Sequence, residues 1–286
     1  MPVNDALGSR MKEFYESIPK TRLMRRTPVA IRLDGKAFHT FTRGFQRPFD
    51  SVLMNAMQRT MQYLCENIQG CVLGYTQSDE ITLILIDYQT LDTDAWFDYE
   101  VQKMCSVSAS MATMAFNKIF QEEVNNWKEK RLPIPYLGYN VGKHSVADIE
   151  LMEIYTKAID KGAMFDARVF NIPREEVTNL VYWRQLDAAR NSVQMVGQAN
   201  FSHKELQNKT CNMIQDMLHE QRGINWNDFP TPCKRGTCCV RRVVQDPRVD
   251  PKDGYYPRTK WVIDYDIPMF KGEDRKYIDD LIFIGE

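Results

Sequence analysis

Apolar and polar positions recur along this chain at two periods, and the switches between them predict its elements. Residues 4–18 read as a polar-faced helix that Pro19 ends. Val29–Leu33 (Val-Ala-Ile-Arg-Leu) is a short apolar run of strand length. Leu53, Ala56, Met57, Met61, Leu64 and Ile68 recur at helical spacing; Asp50 or Ser51 can cap that helix, and Gly70 stands just past its end. Cys71–Tyr75 and Ile81–Ile86 are rich in β-formers, and the polar Gln77-Ser78-Asp79-Glu80 between them is a hairpin signal. Trp96–Phe120 is a long helical stretch, and Ala163–Ile172 alternates as a strand. The segment from Asn125 to Lys161, with Pro133 and Pro135, reads as an insertion before that strand. The order is β-α-β-β-α-β, the ferredoxin-like arrangement of an antiparallel sheet with two helices on one face. After Pro173 the pattern is helical to about Gln221, then strand-like at Cys238–Val244 and Trp261–Tyr265. No linker isolates this second half. The fold class is therefore α+β, with a first domain of residues 1–172 and a helical and β-hairpin extension of residues 173–286 packed on it.

Composition narrows the class. At 286 residues, 43% apolar and 26% charged, the chain is an ordinary globular one, neither disordered nor fibrous. No apolar run approaches the ~18 residues of a membrane span, and Met1-Pro2-Val3-Asn4-Asp5 has no leader pattern. Seven cysteines, an odd number spread along the chain, read as reduced thiols in a cytoplasmic protein. The net charge of −1 says little about partners, but its distribution says more. Lys20 to Arg47 holds eight basic residues and one acid, Asp34; Thr76 to Glu100 holds seven acids and no Lys or Arg. Thr231 to Lys260 is basic again, with eight Lys/Arg against three Asp. Such blocks suit phosphate binding, of a nucleotide or of RNA. The plain alternative is that they neutralise one another in three dimensions.

Asp34 falls directly after the first strand, and Asp79 and Glu80 lie at the tip of the hairpin. Sequence alone does not show that these two places face the same end of the sheet. Palm-type polymerases and cyclases bring them together around two metal ions. Carboxylates held in that way bind Mg²⁺, which takes oxygen ligands and keeps sites for water and phosphate. Taken singly, Asp34-Gly35 and Ser78-Asp79 are also ordinary turn formers.

Arg32-Leu33-Asp34-Gly35-Lys36-Ala37-Phe38-His39-Thr40-Phe41 resembles the RxDGxxFHxF signature of the tRNA-His guanylyltransferase superfamily. Tyr75-Thr76-Gln77-Ser78-Asp79-Glu80 is similar to its YGQSDE hairpin, with Thr76 in place of Gly. Trp183-Arg184-Gln185, followed by Asp187, and Lys234-Arg235-Gly236-Thr237 resemble two later elements, in family order. The resemblance implies a polymerase palm-like fold and addition of nucleotides to the 5′ end of RNA. A 5′-monophosphate is first activated with ATP or GTP; the 3′-hydroxyl of an incoming nucleotide then attacks the activated end. It implies two Mg²⁺ ions on Asp34, Asp79 and the Gly35 carbonyl, with Glu80 assisting. Asp34, Gly35, Lys36, Ala37, Phe38 and His39 would form a loop around the nucleotide, with Ser78 and Asp79 on the hairpin side. Arg32, Lys103 and Arg168 match positions that contact triphosphates. The implied partners are tRNA and nucleoside triphosphates, and the implied assembly is a homotetramer.

Two departures shape the expected activity. Where enzymes specific for tRNA-His carry His-Ile-Asn-Asn, this chain has Ala189-Arg190-Asn191-Ser192, and their KPND element is Arg47-Pro48-Phe49-Asp50. The pattern is more similar to the guanylyltransferase-like proteins of bacteria and archaea, which favour templated repair of 5′-truncated tRNA. The alternatives are addition of a single guanosine to tRNA-His, a palm-fold nucleotidyl cyclase, and a non-catalytic RNA-binding scaffold. A diguanylate cyclase would need a GGDEF-like hairpin, which is not visible. Tyr277-Ile278-Asp279-Asp280 imitates the YxDD of reverse transcriptases but lies too near the C-terminus. Cys233, Cys238 and Cys239 lack a second ligand pair at zinc spacing. His144, His203 and His219, and Asp264 and Asp266, read as structural or surface residues.

Overall fold

The structure is a computed structural model that describes residues 5–131, 146–245 and 257–283. Its six strands are β1 (Val29–Gly35), β2 (Cys71–Gln77), β3 (Glu80–Leu85), β4 (Phe165–Asn171), β5 (Thr237–Gln245) and β6 (Pro257–Asp264). They form one antiparallel sheet in the order β4-β1-β3-β2-β5-β6. The helices preceding β4 are α1 (Ala6–Met11), α2 (Phe38–Phe41), α3 (Ser51–Asn67), α4 (Val101–Arg131) and α5 (Val146–Lys161). Following it are α6 (Arg174–Asn200), α7 (His203–Leu206), α8 (Cys211–Arg222), α9 (Thr231–Arg235) and α10 (Lys276–Asp279).

Val29, Ile31 and Leu33 of β1 face α3 and α4 and share a core with Met57, Met61, Leu64, Phe116 and Phe120. This is the two-helix face that the pattern predicts. The opposite face is also covered. Ala30, Ile84 and Ile86 pack against Val177 and Val181 of α6 and against Ile267, Phe270 and Ile278. Burial on both faces explains why β1 and β3 read as continuous apolar runs rather than as alternating strands.

Asp50 caps α3, accepting from the Leu53 N–H at 2.9 Å, and its other oxygen accepts from the Tyr155 hydroxyl at 2.7 Å. The long helix differs from its expected bounds. Trp96–Tyr99 is a 3₁₀ turn with Phe97, Asp98 and Tyr99 at positive φ, so α4 starts only at Val101. It then runs past Phe120, because Val124 and Trp127 continue the buried stripe of Phe116 and Phe120. The expected insertion is thus largely the end of α4 followed by α5, whose Tyr155 packs on Phe45, Phe120 and Trp127. Pro133, Pro135 and His144 lie outside the described residues.

The later half joins the sheet directly, since β5 pairs with β2 through Tyr75↔Cys238 and Thr76↔Thr237. The first basic block meets the acidic block at three arginines. Arg22 and Arg25 pair with Asp98, Arg25 with Asp87, and Arg32 with Glu80. All seven cysteines are free thiols. Among the described residues, no helix is long and apolar enough to cross a membrane.

Candidate active site

Antiparallel pairing sets the site. Because β1 lies beside β3, the end of β1 meets the start of β3, and Asp34 stands directly opposite Glu80. The Gly35 N–H donates to the Asp79 carbonyl at 3.1 Å, and the Lys36 N–H to the Met164 carbonyl at 2.8 Å. The loop after strand one and the hairpin tip therefore touch. On its other side Asp34 is opposite Asp166 of β4, and Arg32 is opposite Arg168.

Local sequence builds both loops. A Cβ on Gly35 would come within 2.2 Å of the Phe38 ring, so the chain can lie flat on that ring only as glycine. Phe38 is anchored by Phe41, Phe116 and Phe165, with ring centroids 5.1, 5.5 and 5.2 Å away. Ala37 and Ser78 both adopt left-handed backbone, at φ 55° and 50°, a cost of about 1–2 kcal/mol each. Thr76, in the place of the family's glycine, donates its hydroxyl to the Glu80 carbonyl at 2.8 Å and closes the hairpin. Lys36, Ala37 and His39 are exposed. A cleft of about 540 Å³ opens beside them. His39, Ser78 and Asp79 line one side, with Arg43, Met195 and Gln198 among the other walls.

The charges are arranged unevenly. Glu80 is clamped: Arg184 Nη1 lies 3.0 and 2.9 Å from its two oxygens, and Arg32 Nη2 lies 3.2 Å from Oε2. Arg184 also pairs with Asp187 at 3.1 Å and lies over the Trp183 ring, 3.8 Å from its centroid. Among the described residues Asp34 pairs only with the exposed Arg168, at 3.8 Å. Burial, then repulsion from Glu80 and Asp166, pushes its carboxyl above the usual range. Burial pushes Asp79 up to about 6, with Asp34 and Glu80 adding to the shift, against a hydrogen bond from Ser78 at 3.1 Å. Among the described residues no three His, Cys, Asp or Glu side chains gather to hold a metal ion. The donor set is two carboxylates and backbone oxygens. That set, with surplus negative charge, fits a hard cation that keeps several waters, such as Mg²⁺.

The structure brings Arg32, Asp34, Gly35, Ser78, Asp79, Glu80 and Arg168 together. Lys103 lies apart. Its ammonium is 3.7 Å from Glu100, in the first turn of α4. The Thr113 hydroxyl, which accepts from the Phe165 N–H at 3.1 Å, marks the site end of that helix. Lys103 precedes Thr113 by a rise of about 15 Å. Arg184, Trp183 and Asp166 complete the site without having been assigned roles from sequence. The first two were visible only as a motif. Asp166 shared a face with Arg168 by alternation.

The other motif residues are structural. Gln185 donates to the Pro268 carbonyl at 2.8 Å and accepts from the Phe270 N–H at 3.1 Å. Lys234 donates to the Asn227 carbonyl, and Thr237 accepts from the Gln58 amide at 3.0 Å. In the reverse-transcriptase-like segment, Tyr277 donates to Asp264 at 2.9 Å and Asp279 accepts from Thr178 at 2.5 Å.

A family model described as tRNAHis guanylyltransferase matches residues 8–173. A solved bacterial tRNA(His) guanylyltransferase-like protein in complex with ATP superposes with a TM-score of 0.75 at 35% identity, over 98% of this chain and 100% of that one. A bacterial protein of the same description in complex with GTP gives 0.71 at the same identity and coverage. The tRNA(His) guanylyltransferase of Schizosaccharomyces pombe is 25% identical over 236 residues, 78% of this chain and 77% of that protein. This chain belongs to the tRNAHis guanylyltransferase family of nucleotidyltransferases.

Proposed function

We propose that the enzyme adds nucleotides to the 5′ end of tRNA, in templated repair of 5′-truncated molecules after ATP or GTP activates the 5′-phosphate. The observation that carries the reading is the weakly compensated pair Asp34 and Asp79 at one end of the sheet, beside a cleft of nucleotide size and the guanidiniums of Arg32 and Arg168. Asp34, Asp79 and the Gly35 carbonyl are the residues that would hold two Mg²⁺ ions, which activate an attacking oxygen and neutralise charge on a leaving phosphate. Arg32 and Arg168 balance phosphate charge, as transfer chemistry that depends on positioning requires. Lys36, Ala37, Phe38, His39 and Ser78 shape the nucleotide's surroundings. Lys103, distant from the acids, serves a triphosphate bound from the other end or from a neighbouring subunit. Glu80 positions the start of β3. Residues 1–172 thus supply the acids, and residues 173–286 supply Arg184 and the roof of α6.

Templating is favoured by α6. At the place of the base-selecting element, Arg190 pairs with Asp187, Asn191 donates to Asp187 at 3.3 Å, and Ser192 accepts from the Trp226 indole at 2.9 Å. These polar groups are engaged by Asp187 and Trp226, which leaves nucleotide choice to pairing with the opposite strand. The exposed stripe Leu7, Met11, Phe14 and Ile18, in a segment with no buried residue, supports assembly into a homotetramer.

The test is incorporation of labelled nucleotide into a 5′-truncated tRNA whose opposing base is varied, with Asp79→Ala as control. Incorporation should follow the opposing base and vanish in the variant. A single guanosine regardless of that base, a cyclic product without RNA, or tight RNA binding without incorporation would each replace this reading.

A further inference from the structure

Trp183 has no part in the chemistry above, yet it is 51% exposed beside the acids. A large aromatic left open at such a place is a costly feature to keep without a use. Its surroundings are specific. The guanidiniums of Arg184 and Arg32 lie 3.8 and 5.3 Å from the ring centroid. Both are tied to Glu80 at the start of β3. About half of the side chain's surface stays open. Arg168 neighbours Arg32 across the β1–β4 pairing, on the same face. Asp34 lies two residues beyond Arg32 along β1, a rise of about 7 Å.

A flat π-surface, then two cations, then the acid pair follow one another over about the length of a nucleotide. We infer that the open surface of Trp183 is a stacking platform for the base of a nucleoside triphosphate whose phosphates run over Arg32 and Arg168 toward Asp34. This rests on the proposed reaction, which needs two reactants at the acids. The cleft lined by His39, Asp79 and Met195 is one seat, and the Trp183 shelf is a second, on the α6 face. Every base offers a π-face, so stacking tolerates any nucleotide that a template selects.

The test compares the full-length wild type with Trp183→Ala and Trp183→Phe. Binding of ATP and of GTP is measured without RNA, beside steady-state incorporation into 5′-truncated tRNA. Trp183→Ala should weaken ATP and GTP binding by about tenfold or more. The loss should appear in KM for the nucleotide rather than in kcat, with KM for tRNA unmoved. Trp183→Phe should restore most of the binding. Three results overturn the platform: wild-type nucleotide affinity in Trp183→Ala, a loss confined to tRNA affinity, or equal losses in both variants that track a fall in Tm. The last would make the indole a shield for the Glu80 clamp. If the wild type extends no RNA while Trp183→Ala still loses ATP, the reaction reading falls and the platform stands.

Discussion

Replacing Arg184 by methionine separates what holds the site from what performs chemistry. The guanidinium is 7% exposed and reaches both oxygens of Glu80, at 3.0 and 2.9 Å, as well as Asp187 at 3.1 Å. Removing one partner of such a pair costs about 3–5 kcal/mol, much of it the uncompensated charge left behind. Glu80 is 19% exposed and keeps Arg32 at 3.2 Å, so the lower end, about 3 kcal/mol, is expected. Adding Glu80→Gln removes the stranded charge, and the double variant should regain about 1–2 kcal/mol. Activity should not return with it. The arginine clamp on Glu80 fixes the residue next to Asp79, and misplacing a reacting group by about 1 Å costs about 100-fold. Urea unfolding in chelator reads the stability, and single-turnover incorporation reads the chemistry. The reasoning is refuted if Arg184→Met loses less than about 1 kcal/mol, or if incorporation recovers in step with stability in the double variant.

Three further outcomes follow from the geometry. Asp79, raised to about 6, stabilises the folded state when protonated; that contribution is complete below pH ~4 and lost as pH rises through ~6. In chelator at pH 8, Asp79→Asn should therefore be more stable than the wild type by at most about 3 kcal/mol, and a gap that persists unchanged at pH 4 defeats the assignment. Gly236 sits at φ +80°, with a built Cβ only 2.6 Å from the Thr76 carbonyl and 2.7 Å from the Tyr75 hydroxyl. Gly236→Ala should cost at least about 3 kcal/mol, and a thermal melt within about 2 °C of wild type would contradict that. Asp50→Ala removes the cap of α3 and the partner of Tyr155, an expected loss of about 2 kcal/mol that denaturant titration can check.

The strands and α3 were legible because their periods are local. The hairpin signal at Gln77-Ser78-Asp79-Glu80 and the cap at Asp50 were legible for the same reason. The meeting of Asp34 with Asp79 was an expectation by analogy with palm folds, because the element order alone does not say that the end of strand one and the hairpin tip share one end of the sheet. The antiparallel register of β1 on β3, with Asp34 opposite Glu80, provides it. The start of α4 was misplaced because Trp96 and Tyr99 carry the apolar spacing of a helix, while the left-handed backbone at Phe97 to Tyr99 interrupts it. Its end was cut short at Phe120 although Val124 and Trp127 continue the stripe, because the prolines ahead drew the boundary backwards. The basic block of Lys20 to Arg47 left open phosphate binding or mutual neutralisation. Arg22, Arg25 and Arg32 meet acids of the Thr76 to Glu100 block, Arg32 doing so at the site itself through Glu80, while Arg43 lines the cleft. Met195 and Gln198 reach the cleft from the far part of a 27-residue helix, and no local pattern announces that.

Charge compensation decides which acids are free for a cation. Glu80 and Asp79 are sequence neighbours, yet their surroundings differ in kind. Glu80 meets two guanidiniums, one of them almost fully enclosed, so its charge is spent on holding β3 to α6. Among the described residues Asp79 has no ion pair, only the Ser78 hydroxyl, and Asp34 has one half-exposed arginine at 3.8 Å. Burial raises both carboxyls first; Glu80 and Asp166 add to the rise at Asp34, and Asp34 and Glu80 add to it at Asp79. A fold that needed only stability would have paired these acids or replaced them. Keeping them close and undercompensated is favourable once a divalent cation arrives with phosphate, which turns the same surplus negative charge into binding energy. On this argument a neutral amide at either Asp34 or Asp79 should make the apo fold more stable and the enzyme inert. The same change at Glu80 should instead loosen the site.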